Sequence, residues 1–335
     1  MFKNPPSHLV AVGQALFVTF LWSLSWVLIK IGLHEVPALT FAGLRYTLAF
    51  LFLLPLFFRF GGLLALKGLN RRGWGGFISL GLVYYSLTQG AQFLGLAFLP
   101  AITVSLLLNL RAPAVALFGI IWLGERPTGG QWAGMVLCLG GIGIYFNGVI
   151  PSGGQLTGLI IMLVGILANA ASSIMGRGLN RQQRFSPLTI TTISMGIGGL
   201  TLLTTGLTTQ PLPVFTPVSW LIVGWLALVN TAFAFTLWNN ALRTLSAMES
   251  SLINNTMLVQ ITLLAWGFLG EGVSRVQILG LVLVGLGVLV VQLRVKLRFL
   301  KAKTGPDVQQ RHEPGMIVNA AKSIHNTEKL EGELD

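Results

Sequence analysis

Residues Gly95–Glu125 read GLAFLPAITVSLLLNLRAPAVALFGIIWLGE, and residues Ala241–Glu271 read ALRTLSAMESSLINNTMLVQITLLAWGFLGE. Laid over one another they share the closing LGE, and Ser105 and Asn109 fall on Ser251 and Asn255. The offset is about 146 residues and holds beyond both stretches. Gln131, Gly134 and Gly141 map onto Gln277, Gly280 and Gly287, and Trp74 maps onto Trp220. A chain that repeats itself over such a distance is two copies of one unit. Two similar halves in an apolar chain are the signature of a secondary transporter.

Composition supports a membrane setting. The 335 residues are 53% hydrophobic and 10% charged, and the mean hydropathy is +0.75. A soluble domain is about 25% charged. Apolar runs here are long enough to cross a bilayer, which takes roughly 20 helical residues. The net charge of +12 does not point to nucleic acid, because the cations cluster in loops between apolar runs. The single cysteine, Cys138, allows no internal disulfide and is expected to pack inside an apolar helix. The first apolar run is too long for a signal peptide and reads as a retained helix.

About ten spans follow: 10–33, 38–58, 75–96, 100–122, 129–147, 156–178, 187–207, 218–241, 248–269 and 275–295. With the N-terminus in the cytoplasm, the inner loops hold Arg59, Lys67, Arg71, Arg72, Arg126, Arg177, Arg181, Arg184 and Arg243. The outer loops NGVIPSGGQLTG and TTGLTTQPLPVFTPVS hold no cation. Both termini are therefore expected inside. The expected order is a short cytoplasmic N-terminus (1–9), a first five-helix repeat (10–147), a second repeat (156–295) and a polar, disordered cytoplasmic tail (298–335). Five helices per half is an odd number, so the second half runs upside down. The fold class is thus an all-α integral membrane protein of ten helices, built as two inverted repeats around a central cavity.

At this point the residues resemble a known family. Trp22–Lys30 (WSLSWVLIK), Pro37 with Phe41–Arg45, and Leu96–Pro113 followed by WLGER are similar to motifs of the drug/metabolite transporter superfamily, EamA-like branch. GRGLNR around Arg177 resembles the end of that family's sixth helix. The resemblance covers roughly residues 10–293. It implies ten helices around a cavity lined by the third, fourth, eighth and ninth helices with the first and sixth. It also implies movement of small metabolites such as amino acids, often as efflux. One departure stands out: Pro113 of the fourth helix has no counterpart near Leu258 or Val259, so the ninth helix is expected to be straighter.

Polar side chains in hydrocarbon are costly and face the bundle interior or a water-filled cavity. Tyr85, Gln89 and Gln92 lie at i, i+4 and i+7, on one face of the third helix. Ser105 and Asn109 on the fourth helix match Ser251 and Asn255 on the ninth. Asn230, Thr231 and Trp238 add the eighth helix; Trp22, Ser25 and Trp26 the first; Asn169, Ser172 and Ser173 the sixth. Each alone could be an interhelical hydrogen bond, worth about 0.6 kcal/mol; the shared face favours a cavity. Trp22 and Trp238 lie deeper than an interface belt and suit amphipathic solutes, including cations bound at a ring face.

Arg111 is at mid-span, where a cation costs at least about 2.5–3.5 kcal/mol. It is expected either to hold a solute carboxylate in the cavity or to bond carbonyls freed by Pro113. Arg45 is expected to snorkel or to pair with Glu35. Lys30 and Arg177 are repeat counterparts near helix ends and read as gate or interface residues. Glu249 is the carboxylate to test for coupling, since the spans hold no Asp, no His and no central Glu. Asn239 and Asn240 read as interfacial.

The substrate-binding candidates are thus Trp22, Tyr85, Gln89, Gln92, Asn109, Arg111, Asn230, Trp238 and Asn255. The coupling or gating candidates are Lys30, Arg177 and Glu249. No nucleotide loop, metal cluster or nucleophile–base pair is present, so neither an enzyme nor a cofactor or metal is expected. The expected partners are a small solute and the bilayer. One copy suffices, with a dimer through the glycine-rich fifth and tenth helices as the alternative. Export of an amino acid or related solute by alternating access leads; uptake on the same scaffold and a non-transporting scaffold stay open.

Overall fold

The structure, a computed structural model, describes residues 6–67, 69–123, 128–147, 152–181, 185–212 and 215–303. Residues 1–292 form one unit and 293–335 another. Among the described residues all regular structure is helical.

The order is α1 (His8–Gly32), α2 (Ala38–Arg59), the short α3 (Gly62–Leu66), α4 (Arg71–Leu80), a π-helical turn (Gly81–Thr88) and α5 (Gln89–Phe98). Then come α6 (Ala101–Leu108), α7 (Arg111–Leu123), α8 (Gly129–Phe146), α9 (Gly154–Arg181) and α10 (Pro187–Thr209). The chain continues through α11 (Pro217–Ala227), a second π-helical turn (Leu228–Phe233), α12 (Ala234–Ala241), α13 (Ala247–Leu269) and α14 (Arg275–Lys303). Among the described residues eight helical stretches are long and apolar enough to cross a membrane, α6 with α7 counting as one and α11 through α12 as another. The helix α14 runs to Lys303, beyond the expected end of the last span and into the stretch read as tail; the rest of that tail lies outside the described residues.

Two local departures from plain helix shape the centre. The fourth span breaks between α6 and α7. Pro113 has no N–H for the Asn109 carbonyl, and its ring clashes with that carbonyl. Asn109 and Leu110 therefore tighten onto Leu106 and Leu107, and Ala112 takes the Asn109 oxygen at 3.3 Å. The ninth span, without a proline, runs unbroken as α13. The π turns were not legible beforehand. In each, a threonine hydroxyl reaches back five residues: Thr88 to the Val83 carbonyl and Thr231 to the Leu226 carbonyl, both at 2.9 Å. Side-chain hydroxyls compete in this way with the regular ladder.

Helix starts are set by side-chain caps. Asn70 caps α4 and Thr216 caps α11. Thr128 with Gln131, and Ser274 with Gln277, form reciprocal boxes at α8 and α14. Each box satisfies two amide donors the helix leaves open.

Glycines then let helices approach. A Cβ on Gly43 would fall 2.4 Å from Leu203 backbone, and one on Gly206 2.5 Å from the Thr40 nitrogen, so α2 and α10 meet backbone to backbone. Between α8 and α14, Gly141 faces the Gly280 carbonyl and Gly287 faces the Gly134 carbonyl. Cys138 is buried at that crossing, 3.7 Å from the Val284 carbonyl. Those glycines of the fifth and tenth helices meet each other within the chain, while Gly140 and Gly143 of α8 face open space.

Candidate functional site

A cavity of about 530 Å³ opens at the centre, lined from α1, α2, both π turns, α5, α6, α7, α9, α12, α13 and α14. The lining follows from the breaks. The Pro113 kink presents Asn109 and Arg111, and the first π turn presents Tyr84 and Tyr85. π turns recur at functional sites because the extra residue re-aims side chains.

Of the nine substrate-binding candidates, eight line this space: Trp22, Tyr85, Gln89, Gln92, Asn109, Arg111, Trp238 and Asn255. Trp22 stacks at a tilt against Phe235 and Trp238, with ring centres 5.4 and 5.3 Å apart. Its indole N–H donates to the Asn230 carbonyl at 3.1 Å. Tyr85 meets Tyr46 and Tyr84 edge to face. The Asn109 amide donates to the Ser105 carbonyl at 2.8 Å.

The ninth, Asn230, corrects the reading. It is fully buried behind the wall, where its amide donates to the Leu21 carbonyl and the Ser25 hydroxyl. It ties the second π turn to α1 and is not part of the lining. Asn240 is likewise buried rather than interfacial, and donates to Gln14 at 3.1 Å. The Asn239 side chain lies outside the described residues.

Arg45 is the larger correction. Its side chain is 8% exposed and lines the cavity beside Tyr46. Its guanidinium lies 5.4 Å from the Tyr46 ring centre, and its Nε donates weakly to Thr231 at 3.4 Å. Glu35, the expected partner, accepts from the Ser219 and Thr216 hydroxyls instead. Those two bonds hold the Glu35 carboxyl below the ordinary carboxylate range, Ser219 contributing most. Arg45 sits about two turns inside α2, as its place in the 38–58 span implies, but its side chain lines the cavity. Tyr84 and Asn254 also line the cavity and were not foreseen. Tyr84 stands beside Tyr85 in the sequence, but a regular helix would turn one of the pair away. The π turn lets both reach the space.

The gating candidates lie apart. The Lys30 ammonium donates to the Leu96 and Leu99 carbonyls at 2.6 and 2.8 Å, at the end of α5. Beside it, the Glu271 carboxylate accepts from the Ala101 and Ile102 amides at 2.7 and 3.0 Å, at the start of α6. A cation at a helix C-terminus and an anion at an N-terminus both oppose the helix dipole favourably. Glu249 completes the α13 cap with Ser246 and meets His8 at 2.7 Å, outside the cavity. The Arg177 side chain lies outside the described residues. Among the described residues no cluster could hold a metal.

Many membrane-crossing helices around a polar and aromatic hollow define a multi-pass membrane protein with room for a small solute. The comparisons agree. The profile of the EamA-like transporter family matches twice, at residues 9–147 and 156–293. The chain belongs to the EamA-like transporter family. Among curated relatives, the "Uncharacterized transporter YvbV" of Bacillus subtilis (strain 168) is 26% identical over 38% of this chain and 41% of its own length. The "Probable amino-acid metabolite efflux pump" of Escherichia coli (strain K12) is 31% identical over 38% of this chain and 40% of its own. These alignments span well under half of each relative. A crystal structure that is 17% identical matches in fold with TM-score 0.60, covering 88% of this chain and 99% of that one.

Proposed function

We propose that the protein is a secondary transporter or facilitator that moves a small organic metabolite by alternating access, with export of an amino acid or related solute favoured. The observation that carries this is the central cavity, lined from both halves by side chains that the bilayer would otherwise reject. A volume of about 530 Å³ suits one small metabolite. The Escherichia coli relative, named as a probable amino-acid metabolite efflux pump, supports the direction and the class.

The mechanism rests on ten spans forming two inverted halves, both termini in the cytoplasm. Symmetry in the contacts supports it. The π turns lie at equivalent places, as do the caps Asn70 and Thr216, and Thr128 and Ser274. The Gly141–Gly280 contact becomes Gly287–Gly134 when the halves are exchanged. Such halves have two near-equivalent packings, one open to each side. In this reading Lys30 and Glu271 close the outer end by clamping the corner at Pro100.

Counterflow in proteoliposomes of the purified full chain tests the reading. Amino acids loaded inside should drive uptake of labelled amino acid only when protein is present. Equal flux with and without protein, across a broad panel of metabolites, would sink it.

A further inference from the structure

We propose that Arg45 and Arg111 form a paired-guanidinium site that makes the cavity selective for organic anions carrying an apolar or aromatic body. This rests on the reading of the cavity as the transport site. Both arginines line the same space, from α2 and from the break in the fourth span. Both also lie within electrostatic reach of the Tyr84 hydroxyl.

Neither has an acidic partner among the described residues. The described lining holds no Asp or Glu, and the ion pair formed by described residues is His8 with Glu249, away from the cavity. Glu35, the nearest acid in sequence to Arg45, is already occupied by two hydroxyls. A guanidinium carries five N–H donors. Arg45 uses one, at 3.4 Å, although it is almost fully buried. A buried charge with open donors is costly unless something completes it. A carboxylate or phosphate, which takes a guanidinium in a two-pronged bond, is the group that does so. The same cavity is lined by the rings of Trp22, Phe235 and Trp238, which offer flat apolar contact. The same two positive charges repel an ammonium or amphipathic cation, even one that the rings alone would accept.

The experiment uses one aromatic body with four charges: phenylsuccinate, phenylacetate, phenylalanine and phenethylamine. Binding to the purified full chain is read by tryptophan fluorescence and thermal shift, at low and high salt. The expected order is phenylsuccinate, then phenylacetate, then phenylalanine, with phenethylamine last. Arg45→Gln and Arg111→Gln should each weaken phenylsuccinate by about tenfold or more. Arg45→Lys should keep part of the affinity, and covers the case in which Arg45→Gln does not fold. Phenethylamine binding as tightly as the anions, anion binding unchanged in both variants, or no binding by either carboxylate overturns the proposal. The transport reading fails separately. If phenylsuccinate binds through both arginines but no panel compound crosses the vesicle wall, the anion site stands and transport falls. If a neutral or cationic solute is carried independently of both arginines, transport stands and the anion site falls.

Discussion

Adding one methyl group at the crossing of α8 and α14 should destabilise the protein, while the same change one or two residues away should not. A Cβ on Gly141 would lie 2.8 Å from the Gly280 oxygen and 2.9 Å from the Val284 nitrogen. On Gly280 it would lie 2.7 Å from the Gly141 oxygen, and on Gly287 2.7 Å from the Gly134 oxygen. These neighbours are backbone and cannot rotate aside, so the helices must separate. Overpacking of this kind costs about 1–3 kcal/mol. Alanine also favours helix over glycine by up to about 1 kcal/mol, but that gain is common to every site on the helix. Gly140 and Gly143 have nothing within 4 Å and serve as controls on the same helix. Subtracting them leaves the clash alone, about 1–3 kcal/mol. Thermal unfolding in detergent reads it. Gly141→Ala and Gly287→Ala, exchanged by the repeat, should cost similar amounts. The reasoning fails if alanine at these positions is no worse than at 140 and 143.

Three further outcomes are expected. Glu271→Gln removes the charged cap from α6 and should cost about 1 kcal/mol; a cysteine placed at His34, in the small hollow beside Lys30 and Glu271, should then label faster. Pro113→Ala lets the fourth span close its ladder, withdraws Arg111 from the cavity and should lower transport while raising thermal stability; unchanged transport would show that the break is incidental. The lowered Glu35 carboxyl implies that the unfolded chain binds the proton more readily. Its contribution is therefore full above the ordinary glutamate range near pH 4.3 and is lost as pH falls from there through the lowered folded value. The stability gap between wild type and Glu35→Gln should be constant from pH 7 to 6 and narrow toward pH 4; a gap that widens on acidification would contradict the sign.

Much of the fold was legible because hydrocarbon enforces simple rules: apolar runs became helices and loop breakers became turns. Pro113 of the fourth span became its break. The cavity face was legible for the same reason, since Gln89, Gln92 and Asn109 had nowhere else to go. What escaped was side-chain direction and partnership. Arg45 looked near enough to the interface to snorkel, and its loss of Glu35 to Thr216 and Ser219 depends on a contact 181 to 184 residues away. Asn230 looked like a lining residue on a regular helix, but the π turn rotates it behind the wall and Trp22 closes over it. A hydroxyl that reaches back five residues rather than four leaves no periodic mark in the sequence. The glycine faces of the fifth and tenth helices were legible as close contacts, but their partner was not. Whether they met each other or a second chain depended on packing.

The measurement that tests the account most directly is labelling of a cysteine placed at Gln92, on the cavity wall, by a membrane-impermeant maleimide applied to one side and then the other. The native Cys138 is buried and serves as the silent background. Alternating access predicts that Gln92→Cys reacts from both sides, and that a transported solute slows both reactions. Reaction from one side alone, at a rate that no solute changes, would contradict it.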